Sequence, residues 1–251
     1  VQGTRRLLEL RRSGVERALF AAAAELGFGD DWRAALDALP ELAELEPLDR
    51  LDAWEDEWLR VGTEFDALGL PTFPTAPPPP PLVDDRATLS AWAVRARAAA
   101  MFEAARAVQS RPVRRLLVAP GLRRGWSRTV AALLRETRLL GTPERRLASA
   151  DLALRDAAIA EAELLLEARR MDPDALVARI SECTGQSGSE ARDLLAASAE
   201  EPLESVAAAL AHEGWQEWFA EDGGDPAAFL IRASGSGGLA VPLARWAARA
   251  A

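Results

Sequence analysis

The side chains most suited to chemistry in this sequence are arginines that crowd one short stretch around a tryptophan. We call this stretch, residues 111–128, the arginine strip; it contains Arg111, Arg114, Arg115, Arg123, Arg124, Trp126 and Arg128. A planar guanidinium group binds carboxylate or phosphate oxygens through two parallel hydrogen bonds and also stacks on nucleobases. Arginines with an interleaved aromatic residue are therefore typical of a surface that docks an acidic partner protein or binds a nucleic-acid backbone.

The arginine strip lies within a longer basic block, residues 86–135, which contains eleven arginines and one acidic residue, Glu103. Acidic segments flank the block on both sides. Residues 1–85 hold eight arginines against 18 acidic residues, a formal charge of −10, and residues 136–251 hold eleven against 20, a formal charge of −9. The whole chain also has a formal charge of −9, and it therefore differs from dedicated nucleic-acid binders, which are usually basic. Internal ion pairs between the block and its flanks are thus a third interpretation.

A second candidate site is a set of carboxylates on one predicted helix. Asp49, Asp52 and Asp56 are spaced at i, i+3 and i+7, so that one helix face would carry all three. Carboxylate oxygens are ligands of Mg²⁺, and Asp156 with Glu163 could supply a second acidic helix, as in an all-α enzyme that acts on a diphosphate. The same spacing is equally typical of the solvent face of an amphipathic helix. Our main prediction is therefore a chain without a metal or other cofactor.

Several reaction classes are excluded by the residue types that this chain lacks. It contains no lysine, asparagine or tyrosine, so it has no amine for a pyridoxal phosphate Schiff base and no phosphate-loop lysine. Its single histidine, His212, and single cysteine, Cys183, cannot form a His/Cys zinc site or a disulfide within one chain. These exclusions favour a binding function over an enzyme.

The elements that carry these side chains are predicted to be helices. Alanine, leucine, arginine and glutamate dominate, and all four are strong helix formers. The clearest start signal is Thr142 followed by Pro143 and Glu144: an N-cap, a first-turn proline and a first-turn acid. Residues 77–81 are five consecutive prolines, which break helices and favour an extended polyproline spacer.

We therefore predict an all-α fold with helical bundle lobes joined by this spacer. The predicted divisions are an N-terminal lobe (1–70), a linker (71–86), a main helical domain with the basic strip (87–213) and a C-terminal appendage (214–251). In the appendage, apolar residues 229–233 and 239–243 flank Ser-Gly-Ser-Gly-Gly, which indicates a small β-hairpin.

No stretch of the sequence reaches the roughly 18 apolar residues that would cross a bilayer, so we expect a cytoplasmic protein without membrane contact. The function that the sequence favours is a non-catalytic interaction or regulatory protein whose arginine strip docks an acidic partner surface. Phosphate-backbone binding to nucleic acid by the same strip and a Mg²⁺-dependent enzyme are the alternatives.

Overall fold

The computed structural model describes residues 2–38, 45–71, 77–81, 85–108, 120–135, 137–199 and 202–235. Over these ranges all regular structure is helical, with ten α-helices and no strand, which confirms the predicted all-α fold. The helices are α1 (Gln2–Glu25), α2 (Trp32–Ala38), α3 (Pro47–Ala67), α4 (Arg86–Ala107), α5 (Pro120–Leu133), α6 (Pro143–Glu167), α7 (Pro173–Thr184), α8 (Gly188–Ala199), α9 (Glu204–Asp222) and α10 (Pro226–Ser234). A 3-10 turn, Arg138–Leu140, precedes α6. No helix in these ranges is long and apolar enough to cross a membrane.

Several helices begin at side-chain caps that are visible in the sequence. Thr142 and Asp172 accept hydrogen bonds from the backbone N–H groups of Arg145 and Ala175, and each cap is followed by a first-turn proline. Such caps satisfy backbone donors that have no partner within the helix. Gly185 then ends α7 with a left-handed backbone at φ 75°, a conformation that favours glycine.

The start of α9 is capped from another helix. Leu203, the residue before it, has a left-handed backbone at φ 65° and makes no side-chain cap hydrogen bond. Instead Glu163 of α6 accepts a hydrogen bond from the backbone N–H of Val206 at 3.2 Å. A carboxylate is favourable at a helix N-terminus because it meets unsatisfied N–H groups and the positive end of the helix dipole. This contact holds α6 against α9.

The main hydrophobic core is built from α3, α4, α5, α9 and α10. Trp126 of α5 and Trp215 of α9 are fully buried in it, with their rings edge to face and centroids 5.3 Å apart. A second core packs α1 and α2 against α6 through Leu19 and Leu154. Helices from both sides of the proline segment therefore contribute to the same cores.

The proline segment itself lies against α3. The indole N–H of Trp54 donates a hydrogen bond to the carbonyl oxygen of Pro78 at 2.8 Å. α3, which precedes the prolines, packs on α4, which follows them. Helices from the predicted N-terminal lobe (1–70) and from the predicted main helical domain (87–213) therefore pack on one another. A shared core removes more apolar surface from water than two small lobes would.

α5 and α9 approach each other closely because α5 has glycines at the contact. A Cβ atom on Gly121 would lie 2.7 Å from the Cβ of Ala207, and one on Gly125 would lie 2.7 Å from the carbonyl oxygen of Ala208. Thr129, one turn further on, donates a hydrogen bond to the carbonyl oxygen of Gly125 at 2.8 Å. Close packing of these glycines on α9 therefore fixes the position of α5. This helix carries the second half of the arginine strip.

The C-terminal region differs from its prediction. Residues 229–233, expected to be a hairpin strand, lie in α10, which begins at the Asp225 cap; the other expected strand, residues 239–243, lies outside the described residues. The predicted boundary at Gly214 falls inside α9. Glycine costs a helix about 1 kcal/mol relative to alanine, and burial of the adjacent Trp215 outweighs that cost.

Candidate anion-binding site

The arginine strip divides into exposed and buried members. Three members lie outside the described residues: Arg111, Arg114 and Arg115. Arg123 and Arg124 are exposed on α5, whereas Trp126 and Arg128 are buried. The Trp126 ring, at 0% exposure, packs on Trp215 and has no face open to a nucleobase. In the described ranges the strip is therefore not one continuous surface.

Arg128 belongs to a buried ionic group formed by α4, α5 and α6. Its Nη2 donates to Oδ1 of Asp156 at 3.0 Å, and Nη2 of Arg95 lies 2.9 Å from Oδ2 of the same carboxylate. Nη1 of Arg128 also donates to the carbonyl oxygen of Ser205 at 3.4 Å. Burial lowers the pKa of Arg128, and the charge of Asp156 opposes that shift. We call Arg95, Arg128 and Asp156 the buried triad.

Other arginines of the basic block also pair with acids, several of them from the flanking segments. Arg86 pairs with Asp56 of the N-terminal segment at 3.1 Å, and Arg124 pairs with Glu204 of the C-terminal segment at 2.8 Å. Arg123 makes no ion pair within the described ranges. Within the described residues, Arg86, Arg95, Arg124 and Arg128 pair with acids of the flanking segments, and Arg106 pairs with Glu103 inside the block. Ion pairs between the block and its flanks, which the sequence left open, are thus present in the described part of the block.

The carboxylates considered for Mg²⁺ do not converge. Asp49, Asp52 and Asp56 are exposed on α3, and Asp56 is paired with Arg86. Asp156, the expected ligand from a second helix, is held in the buried triad. Among the described residues, no group of three histidines, cysteines or acids is placed to hold a metal ion. In the described part of the chain, the three aspartates considered for Mg²⁺ therefore form an exposed face of α3.

The single histidine and the single cysteine both make packing contacts. His212 is buried, with Nδ1 2.8 Å from the hydroxyl oxygen of Thr129. Cys183 is half-buried, and its Sγ lies 3.7 Å from Nη1 of Arg12. Burial raises the pKa of the Cys183 thiol despite the nearby arginine, so the thiol stays protonated at neutral pH. It is therefore not an activated nucleophile.

A polar cleft opens where α3, α4 and α6 meet. It has a volume of about 460 Å³, and we call it the arginine cleft; its lining residues are Asp56, Glu57, Arg60, Arg86 and Arg145. Three arginines against two acids give this lining a formal charge of +1, in a chain whose total is −9. A local excess of positive charge in a concave site raises the local concentration of anions.

Glu57 is the carboxylate on which the three arginines converge, and its side chain is only 2% exposed. Its Oε2 accepts a hydrogen bond from Nε of Arg60 at 2.7 Å, and its Oε1 accepts one from Nη2 of Arg145 at 3.1 Å. Nε of Arg86 lies 3.7 Å from the same Oε1 atom. A buried carboxylate requires such partners, because an unpaired buried charge costs about 3–5 kcal/mol. Glu57 therefore fixes the arginines in place.

The cleft arginines keep donors that the chain does not use. Nη2 of Arg60 donates to the Ser90 hydroxyl at 2.6 Å and to the Leu139 carbonyl oxygen at 3.2 Å, which orients its guanidinium plane. Within the described residues, Nη1 of Arg60, Arg86 and Arg145 donates no hydrogen bond. The unused Nη1 groups are the donors that we assign to a bound oxyanion.

Two of the cleft arginines lie where a helix dipole disfavours them. Arg86 is the first residue of α4, and Arg145 is the third residue of α6. A helix N-terminus carries partial positive charge, so acidic side chains are favoured there and basic ones are disfavoured. The N-cap carboxylate of Asp85 and the first-turn carboxylate of Glu144 offset part of this positive charge, and a bound anion would offset more of it. The one local sequence signal for the cleft is thus an arginine in the first turn of each helix, Arg86 one residue after the Asp85 cap and Arg145 three residues after the Thr142 cap.

Comparison with known proteins identifies a shared fold and no family. No family model matches this chain, and no curated protein matches it. A solved structure that does match is titled "The crystal structure of the putative lipoprotein from Colwellia psychrerythraea", with a TM-score of 0.74 and 13% sequence identity. The match covers 99% of this chain and 52% of that one, so this chain spans about half the length of its structural neighbour. At this identity the likeness shows the fold alone.

Proposed function

We propose that this protein is a non-catalytic interaction protein that docks an acidic group of its partner in the arginine cleft. The observation that carries the proposal is the convergence of Arg60, Arg86 and Arg145, from three helices, on one cavity with unused donors. Guanidinium groups bind carboxylate and phosphate oxygens well because charge strengthens each hydrogen bond. We thus retain the acidic partner that the sequence predicts, and we propose that it docks mainly in the arginine cleft and not on the arginine strip.

The lining of the cleft favours binding over catalysis. Arginine stays protonated in proteins and does not exchange protons with a substrate. Glu57 is hydrogen-bonded to the chain's own arginines and is almost fully buried, so it is not presented to a ligand as a base or nucleophile. His212 and Cys183 do not line the cleft. The groups in the cleft are thus suited to holding an anion in place.

The arginine strip supplies a second and weaker contact in this proposal. Arg123 and Arg124 are exposed next to each other on α5. Exposed charges of this kind steer association and add little affinity. Binding of nucleic acid by the strip is less well supported than docking of an acidic partner, because the buried Trp126 offers no stacking surface.

Titration of the protein with a short poly-glutamate peptide tests this proposal. We expect binding that weakens as salt is added and that falls about tenfold in Arg86→Gln, the effect of losing one charge-assisted hydrogen bond. Arg86 is the best position for the test, because its side chain is half-exposed and is the most distant of the three from Glu57. Its removal leaves Glu57 with its two closer partners.

Arg192→Gln is the matched control for this titration. Arg192 is an exposed arginine on α8 whose ion-pair partner, Asp174, is also exposed at 3.7 Å. It does not line the cleft, so its variant should bind as the wild type does. A double variant, Arg123→Gln with Arg124→Gln, measures the contribution of the strip. The proposal is contradicted if this double variant abolishes binding and Arg86→Gln does not weaken it.

A further inference from the structure

We infer that the acidic group bound in the arginine cleft is a phosphate monoester, an inference that rests on the proposed function of the cleft. The number and arrangement of donors in the cleft point to this chemistry, and the charge and the volume of the cleft are compatible with it.

The first feature is the number of guanidinium groups. A carboxylate presents two oxygens in one plane. The cleft instead brings together Arg60, Arg86 and Arg145 from three helices, and each keeps an unused Nη1 donor within the described residues. A phosphate monoester presents three terminal oxygens in a tetrahedral arrangement. Three donors from three directions therefore match a phosphate group better than a planar carboxylate.

The second feature is the charge of the site. The five lining residues carry a formal charge of +1. At the N-termini of α4 and α6, where Arg86 and Arg145 are located, the N-cap carboxylate of Asp85 and the first-turn carboxylate of Glu144 offset the partial positive charge of the helix ends. The net positive charge of the lining attracts an anion such as a phosphate monoester.

The third feature is the volume. The cleft has about 460 Å³, within the range of small-ligand sites, which is about 300–1,000 Å³. A water molecule takes up about 30 Å³ in the liquid, and a phosphate group takes up only a few times that volume. The remaining space can hold the organic group that carries the phosphate. A phosphorylated side chain of a partner or a small phosphorylated molecule would both use the site in this way.

Calorimetric titration with two matched peptides tests the inference. One peptide has a single central phosphoserine, and the other has glutamate in its place. At about pH 7.5 we expect the phosphoserine peptide to bind at least about tenfold more tightly, because it gains one or more charge-assisted hydrogen bonds. Arg86→Gln should remove most of this preference, and Arg192→Gln should leave it intact. A parallel titration with inorganic phosphate distinguishes the two possible carriers of the phosphate group. If inorganic phosphate binds about as tightly as the phosphoserine peptide, the site is assigned to small phosphorylated molecules. If it binds much more weakly, the site is assigned to a phosphorylated side chain of a partner.

Equal affinity for the two peptides, or a preference that survives Arg86→Gln, would overturn the phosphate assignment. The proposed function is judged separately by the poly-glutamate titration. If poly-glutamate binds in an Arg86-dependent way and the phosphoserine peptide has no advantage, the cleft docks carboxylates. If neither poly-glutamate nor phosphoserine binds, both the inference and the proposed function fail.

Discussion

Two regions of this molecule hold a carboxylate between arginines, and they differ in how much of each guanidinium group faces solvent. In the buried triad, the side chains of Arg95 and Arg128 are 9% and 8% exposed. In the arginine cleft, the side chains of Arg60, Arg86 and Arg145 are 26%, 47% and 19% exposed. Both regions combine arginines with one central carboxylate, Asp156 or Glu57, and the arginines of the cleft are the more exposed.

In our proposal this difference separates a structural role from a binding role. Arg128 makes its hydrogen bonds to Asp156 and to the Ser205 carbonyl oxygen, which are groups of the chain itself. Arg60 and Arg145 of the cleft donate to Glu57, and both line the cavity. A high density of arginine in a sequence therefore does not identify a docking surface, because internal pairing can use the same side chains.

The largest expected effect comes from removing the central charge of each region. Asp156→Asn leaves two buried guanidinium groups without a counter-charge, and we expect it to lower the free energy of unfolding by about 3–5 kcal/mol. Glu57→Gln is the matched change in the cleft. There the arginines can be hydrated, so we expect a loss of about 1–2 kcal/mol. Urea denaturation of both variants measures the difference, and a cost for Glu57→Gln equal to that of Asp156→Asn would break the comparison.

A smaller effect is expected from Gly125→Ala, which tests whether close packing on α9 holds Arg128 of α5 in the buried triad. The new Cβ would lie 2.7 Å from the carbonyl oxygen of Ala208. Overpacking of this kind costs about 1–3 kcal/mol. Gly14→Ala is the matched control, because the nearest atom to its Cβ, in Arg17, is 4.0 Å away. A helix gains about 1 kcal/mol from that change. Similar effects of the two variants on thermal stability would contradict the close contact.

The smallest expected effect is a pH dependence of the free energy of unfolding that arises from Glu163, beside the buried triad. Burial raises the pKa of Glu163, although hydrogen bonds from Ser205 and Val206 and the charge of Arg128 oppose the shift. The folded protein therefore holds this proton more tightly than the unfolded chain does. The stabilisation that the protonated Glu163 side chain contributes is full below the ordinary glutamate pKa of about 4.3, and it is lost as pH rises through the raised pKa of the folded protein. Glu163→Gln cannot titrate, so its stability relative to wild type should increase with pH over that window. Urea denaturation at a series of pH values measures this, and a flat difference would contradict it.

Much of the local structure could be predicted from the sequence because its causes are local. Thr142 starts a helix as expected, since a cap acts on backbone groups a few residues away. The predictions of local structure are wrong where contacts outside the local sequence pattern determine the conformation. Gly214 does not end α9, because tertiary packing of Trp215 outweighs helix propensity. Residues 229–233 form a helix because the Asp225 cap favours it over the glycine-rich hairpin signal.

For the candidate site, the sequence predicted the type of ligand but not the residues. The clustered arginines of the strip indicated an anionic ligand, and the arginines that line the cleft are different ones. Glu57 and Arg86 come from segments that the proline run separates, and Arg145 follows much later in the chain. Their convergence depends on how α3, α4 and α6 pack. Trp126 was expected at a surface because it stands among arginines, yet its position on α5 faces the core.

The most direct test of the central claim is a crystal structure of the protein with selenate, whose selenium can be located by anomalous scattering. Selenate has the tetrahedral shape and the charge of a phosphate dianion. We predict an anomalous peak in the arginine cleft, within hydrogen-bond distance of the Nη1 atoms of Arg60, Arg86 and Arg145. Peaks beside Arg123 and Arg124 alone, with the cleft empty, would contradict the account and return the docking site to the arginine strip.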